Sequence, residues 1–140
     1  MTIEASPAPF SDAWLGRFQH LINTDREMLA VGRWFSVAMS LSCGDHRVVV
    51  RFERGALAQW VAQPRLDVPC AFGFRASPEI WAKYLGRAPE PLYHDVFAML
   101  MRVPGFVLEG DTLAAMQHAR ALHRAMRVMR DVTAGAGGAA

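Results

Sequence analysis

The segment from Phe106 to Met129 is the tightest constraint on what this chain can become. Its opening residues, FVLEGD, set Phe106 and Leu108 against Val107 and Glu109, the two-residue period of a strand with one buried face. Gly110 supplies a turn. Asp111 can then accept a hydrogen bond from an amide one turn into a helix, worth ~1 kcal/mol, while its charge suits the positive end of the helix dipole. Met116, Ala119, Leu122, Met126 and Met129 follow at helical spacing, which predicts one long helix with an apolar, methionine-rich face. A strand and an amphipathic helix must each bury that face against something else, so the rest of the chain has to supply the opposing surface.

In chain order, residues 1–9 read as a loose arm, because Pro7 and Pro9 discourage regular structure. Ser11 is a candidate helix cap, with Phe10 and Leu15 placed as a hydrophobic staple. Trp14, Phe18, Leu21, Ile22, Met28 and Leu29 then predict a single first helix that stops at Gly32. From Trp34 to Ser42 the period changes to two, with Phe35, Val37, Met39 and Leu41 on one side. Gly44 and Asp45 make a tight turn, and His46 to Glu53 forms the alternating partner of a hairpin. Residues 55–61 suit either a helical turn or a short strand. Residues 64–67 form a turn, and Val68, Cys70, Phe72 and Phe74 line one face of a further strand. Ser77 and Pro78 mark a helix start, Trp81, Tyr84 and Leu85 fill that helix, and Gly86 ends it. The linker RAPEP leads to a helix from about Leu92, carrying Val96, Phe97, Leu100 and Met101, which stops near Pro104. The residues after 132 offer nothing to pack and read as a disordered tail.

A chain of 140 residues, 52% hydrophobic, fits one domain with a sizeable core. The net charge of +2 lacks the strongly basic face of a nucleic-acid binder, so no nucleic-acid partner is expected. No stretch reaches the ~20 apolar residues of a membrane span, and the N-terminus lacks the basic start and apolar run of a signal peptide. Together with two cysteines in no metal or redox spacing, this predicts a cytoplasmic protein with free thiols. His118 and His123 are five apart, which misses the helical metal pair, so neither metal nor cofactor is expected. No nucleophile elbow or phosphate-cradling glycine loop occurs.

The order of elements, with the strand entering Gly110 and Asp111, the hairpin around Gly44, and the strand then helix over Val68 to Leu85, resembles the sterol-binding domain of the sterol carrier protein type two family. The resemblance spans roughly Phe10 to Met129. It implies an α+β fold in a single domain, residues 10–132, with a mostly antiparallel five-stranded sheet covered by helices in the order α-β-β-β-β-α-α-β-α. It makes 55–61 a strand and implies an internal apolar tunnel for sterols, fatty acyl chains, acyl-CoA or phospholipid, without catalysis. The chain ends GAGGAA where animal members carry a peroxisomal address, so a bacterial-type stand-alone domain is the expectation.

On this reading the ligand lining is Phe35, Val37, Met39, Trp60, Phe72, Phe74, Trp81, Tyr84, Phe97, Met101, Phe106, Leu108, Leu122, Met126 and Met129. The unbranched thioethers adapt to different apolar shapes, although taken singly each of these residues also suits an ordinary core. Met116, Leu122, Met126 and Met129 would form a movable lid hinged at Gly110. Arg120, Arg124 and Arg127, with Arg130, are expected along the outer side of the last helix, either as a solvated face or as candidates for anionic head groups. The expected partners are a lipid or similar small molecule, an anionic membrane in passing, or a lipid-metabolising enzyme. An alternative reading is a small enzyme or accessory subunit with Tyr93, His94 or Asp95 at the pocket mouth, although adjacent residues on a helix point in different directions.

Overall fold

The computed structural model describes residues 8–63, 68–86 and 89–137, with side chains described as far as Val132. The arm at 1–7, the turn at 64–67, the first two residues of the RAPEP linker and residues 138–140 lie outside the described residues. The elements run α1 Asp12–Asn23, α2 Arg26–Val31, β1 Ala38–Cys43, β2 His46–Glu53, β3 Ala56–Ala62, β4 Phe72–Ala76, α3 Pro78–Leu85, a 3-10 turn Pro91–Tyr93, α4 Val96–Arg102, β5 Val107–Gly110, α5 Thr112–Gln117 and α6 Ala119–Gly137.

Five of the helices start on a side-chain cap, as short polar residues before apolar runs should. Ser11, Asp25, Ser77, Asp95 and Asp111 accept from the amides of Trp14, Met28, Ile80, Phe97 and Ala114 respectively. The hairpin β1–β2 forms as its alternation predicts, with Gly44 at φ +60 in the turn. Residues 56–62 settle as a strand, β3, paired with β2.

The sheet has the order β3-β2-β1-β4-β5. All neighbours are antiparallel except β1 and β4, which run parallel. Register lines up two rows across it: Trp60, Val50, Met39 and Phe72 in one, Val48, Leu41, Phe74 and Leu108 in the next. Residues paired in register share a face, so both rows contribute to the core. Phe52 adds to it from β2, and Phe10, Trp14, Phe18, Phe35, Trp81 and Phe106 complete it from the loops and helices. The short Ser40 and Gly73 are partners on the opposite face.

Several elements are shorter or more broken than the period of their apolar residues predicts. The first helix divides into α1 and α2 because Asn23, Thr24 and Asp25 each use their side chain on the backbone, competing with the helix. Asn23 is bonded to Leu57 in both directions, at 2.8 and 3.3 Å, and Thr24 Oγ1 donates to the His20 carbonyl at 2.8 Å. The first strand starts at Ala38, not Trp34. At Gly32 and Gly55 the two backbones meet, and a Cβ on Gly32 would lie 2.8 Å from Gly55 Cα. Trp34, between that contact and β1, is 82% exposed. Likewise Val68 and Cys70 precede β4, and α4, capped by Asp95, begins at Val96, four residues after Leu92. The long last helix breaks at His118, whose ring packs edge-on against Phe35 with centroids 5.4 Å apart. The backbone of α6 continues to Gly137, into the segment read as a tail.

One contact joins the two broken helices. Arg124 of α6 donates from Nη2 and Nε to both carboxylate oxygens of Asp25, at 2.6 and 2.8 Å, while Asp25 caps α2. The Arg124 hydrogen bond is the main cause holding the Asp25 carboxyl below its usual range, and the Asp25 hydrogen bond likewise raises Arg124. Both side chains are largely sheltered, so Asp25→Asn or Arg124→Gln should cost about 2–3 kcal/mol in urea unfolding, with the double variant costing less than the sum. Since the folded-state value of Asp25 is depressed, its contribution is complete above about pH 4 and is lost as the pH falls through the lowered value. Urea midpoints of the wild type and Asp25→Asn should therefore converge in acid.

Candidate functional site

The expected lining residues come together in large part. Phe35, Met39, Phe72, Phe74, Trp81, Tyr84, Phe106, Leu122, Met126 and Met129 are buried in one apolar cluster. Val37, Trp60, Phe97 and Leu108 are half-buried at its margin. Met101 stands apart, 85% exposed on α4. Met116 also differs from the expected lid: it belongs to the separate helix α5 and is 45% exposed, while Met126 and Met129 are fully buried on α6.

Aromatic side chains fill the interior. Phe74 stacks on Phe106 at 5.8 Å, Trp81 meets Phe106 edge-on at 5.5 Å, and Phe10 bridges Trp14 and Trp81 at 5.0 Å to each. Their polar tips mostly find partners: Trp81 Nε1 donates to the Ser42 carbonyl at 2.8 Å and Trp60 Nε1 to Asp12 at 3.1 Å. Trp14 is the exception. Its indole N–H is buried and has no acceptor among the described residues.

The surface opens beside this core at the α5–α6 break. A cleft of about 310 Å³ lies between Glu27 and Val31 of α2, Phe97 of α4, and Ala119, Arg120 and His123 of α6. A second, of about 270 Å³, shares Val31, Ala119 and Arg120 and continues past Trp34, Met116 and His118 to Phe35 and Ala121. Since Phe35 is itself a core residue, 1% exposed, the floor of the opening is the edge of the aromatic cluster. His123 stacks on Phe97, 6.2 Å away and 8° from parallel, with its Nε2 3.5 Å from Asp95. A larger cleft of about 450 Å³ on α1, bordered by Ala13, Gly16, Arg17, His20, Leu21 and Asp131, touches none of the expected lining residues. We therefore centre the site on the α5–α6 opening.

The four arginines of α6 have four different surroundings. Arg120 is exposed at the cleft. Arg124 is tied to Asp25, and Arg127 pairs with Asp131 one turn on at 3.3 Å. Arg130, expected on the outer side, is instead 6% exposed. It follows Met126 by four residues and so falls on the buried face. Its Nε and Nη2 donate to the carbonyls of Tyr84 and Tyr93, at 2.9 and 3.1 Å, and its guanidinium lies 4.7 Å over the Tyr84 ring. Burial pushes its value below the usual guanidinium range.

Tyr93, His94 and Asp95 do not converge on a reactive arrangement. The Tyr93 carbonyl is taken by Arg130, His94 is exposed, and Asp95 caps α4 while facing His123. Among the described residues no three His, Cys, Asp or Glu side chains are grouped to hold a metal ion, and no helix is long and apolar enough to cross a membrane. Sequence reasoning missed Val31 and Trp34 as cleft residues. The only signal was an indole placed directly after a helix stop, and it was absorbed into the strand pattern.

No protein-family model matches the chain, and no curated protein matches it. Solved structures do. The crystal structure of sterol carrier protein 2 superposes with a TM-score of 0.70 at 21% identity, covering 88% of this chain and 98% of the other. The solution structure of a conserved hypothetical protein of Thermus thermophilus, put forward as a sterol carrier protein, gives 0.70 at 21% identity, covering 100% and 99%. The chain therefore has the sterol carrier protein 2 fold, in one α+β domain with a mostly antiparallel five-stranded sheet.

The placement of α6 on the core has a direct test. Tyr84 donates its hydroxyl to the Met126 carbonyl at 2.6 Å, and burial raises its ionisation well above the ordinary tyrosine value. Tyr84→Phe should cost about 1 kcal/mol at neutral pH in urea unfolding. With the folded value raised, the contribution is complete below about pH 10 and is lost as the pH climbs above the unfolded value. The variant should therefore lose less stability than the wild type between about pH 10 and 12.

Proposed function

We propose that this chain is a non-catalytic carrier, which binds and transfers a hydrophobic ligand that is sterol-like, fatty acyl or acyl-CoA, or phospholipid. The observation that carries the reading is the meeting of the fold with the opening at α5–α6, where Phe35 is at once a core residue and the cleft floor. A ligand entering there would displace α5, which buries only Ala115 of its six residues. Gly110, at φ +90, precedes that helix, and a Cβ there would lie 2.7 Å from the Ala71 carbonyl oxygen. The hinge therefore requires glycine. The thioethers of Met126 and Met129 are suited to refit around different apolar shapes.

The buried indole N–H of Trp14, which has no acceptor among the described residues, is a second supporting observation. A buried donor without an acceptor is costly, and a ligand hydroxyl or carbonyl reaching into the core would relieve that cost. Each ligand methylene buried contributes ~0.8 kcal/mol before ordering costs, so apolar contact accounts for most of the affinity. Arg120, the arginine at the cleft that has no ion pair among the described residues, is suited to an anionic end group. The enzymatic alternative has less support, since His94 is exposed and Asp95 is occupied in capping.

Organic extraction of the purified protein followed by mass spectrometry should recover a bound lipid. Displacement of a fluorescent fatty acid and of a fluorescent sterol provides the quantitative arm. Arg120→Glu should weaken the fatty acid by about tenfold while leaving an uncharged sterol within about twofold. Protein that is free of lipid and binds neither probe would overturn the proposal.

A further inference from the structure

The strongest feature outside the core is an apolar tip at the mouth of the same opening. Trp34 is 82% exposed and Met116 45% exposed, and they line one cleft. Leu113, 67% exposed, stands one turn before Met116 on the same side of α5. Three loops or junctions, α2–β1, β2–β3 and α5–α6, thus converge on one end of the molecule. A cluster of large apolar side chains left in water at one end marks a contact surface.

The charged residues that line the two clefts at that tip are all basic. Arg33 and Arg54 border Trp34 on one side in a cleft with Ser36, and Arg33 Cζ lies 6.0 Å from the indole centroid. Arg120 borders it on the other side, next to His118. None of the three arginines has an ion-pair partner among the described residues. Of the nearby carboxylates, Glu27 faces Arg124 at 3.8 Å and Glu53 pairs with Arg51 at 3.1 Å. An exposed tryptophan with aliphatic neighbours inside a ring of arginines is complementary to a lipid interface with anionic head groups.

We infer that this end of the molecule docks on an anionic membrane surface, with Trp34, Leu113 and Met116 entering the head-group layer and Arg33, Arg54 and Arg120 meeting phosphates. The inference rests on the carrier reading for its purpose, since docking would bring the α5–α6 opening directly over the bilayer, but the contact itself stands on the exposed residues alone. It assigns α5 two roles, because the helix that would move to admit a ligand also carries two of the docking side chains.

Trp34 is the one strongly exposed tryptophan of four, since Trp14 and Trp81 are buried and Trp60 is half-buried. Its fluorescence therefore reports the contact. The ligand-free protein is mixed with vesicles of phosphatidylcholine, with or without phosphatidylglycerol, some carrying bromine on the acyl chains. Emission should shift to the blue and be quenched by the bromine only with the anionic lipid, and salt should reverse both. Trp34→Ala, at a surface site, should keep the far-UV circular dichroism and lower vesicle co-sedimentation about tenfold. The triple variant Arg33→Glu, Arg54→Glu, Arg120→Glu should lower it by about a hundredfold at low salt.

Soluble fluorescent sterol, measured without vesicles, separates the two proposals. Sterol binding without vesicle binding would overturn the docking inference and leave the carrier reading intact. Vesicle binding without any lipid ligand would do the reverse. Concentration-dependent self-association abolished by Trp34→Ala, with no vesicle binding, would assign the tip to a second copy of the chain and overturn the inference.

Discussion

The helical side of this fold depends on how α6 is fastened. Its apolar face packs along α1 and reaches α2, α3 and α4, but apolar burial is not directional and would tolerate rotation or sliding. Directional bonds remove that freedom. Arg124 holds Asp25 at the start of α2, the Met126 carbonyl accepts from Tyr84 of α3, and Arg130 binds the carbonyls of Tyr84 and Tyr93. Together they fix the helix at three points within less than two turns, on partners from three separate elements. Two carbonyls and an aromatic face hold the buried Arg130 guanidinium in place of a carboxylate.

Rigidity at α6 contrasts with the looseness of α5. The two helices are successive in sequence, yet one is anchored by directional bonds and the other buries a single side chain. The difference follows from the break at His118, after which the apolar stripe turns inward. Before it, Leu113 and Met116 are left facing solvent. Such a pairing of a fixed helix with a weakly held one is the arrangement by which a filled core can admit a guest, since local opening draws on the parts with the fewest buried contacts. The proposed ligand route and the proposed membrane contact both depend on that same asymmetry.

Much of the fold could be read in the residue pattern. The hairpin at Gly44, the strand and cap around Gly110, and the Ser77–Pro78 helix start are local devices, specified by turn and cap chemistry within a few residues. The core rows of the sheet were also readable, because alternation in a strand assigns faces whatever its partner. Less was legible of the candidate site. Phe35, Met126 and Leu122 announced themselves as buried, but Met101 and Met116 carry the same apolar signal and lie on the surface. Hydrophobicity marks what could be buried and does not say which face finds a partner.

The sequence by itself determined the α+β class, the positions of turns and caps, and which side of each strand is apolar, since these are settled by neighbours a few residues away. Only the tertiary structure decided that β1 pairs with β4 in parallel and that both long helices break, while at 56–62, which the residue pattern left open, it formed the strand that the family resemblance implied. Each of these depends on a contact distant along the chain: the β1–β4 register, the ladder from β2 to β3, Asn23 on Leu57, and His118 on Phe35. The same holds for the arginines of α6. Their common spacing suggested one charged face, whereas separate partners on α2, α3, the 3-10 turn and α6 itself divided them into a tie (Arg124), a buried brace (Arg130), an exposed pair along the helix (Arg127 with Asp131) and the exposed residue at the mouth (Arg120).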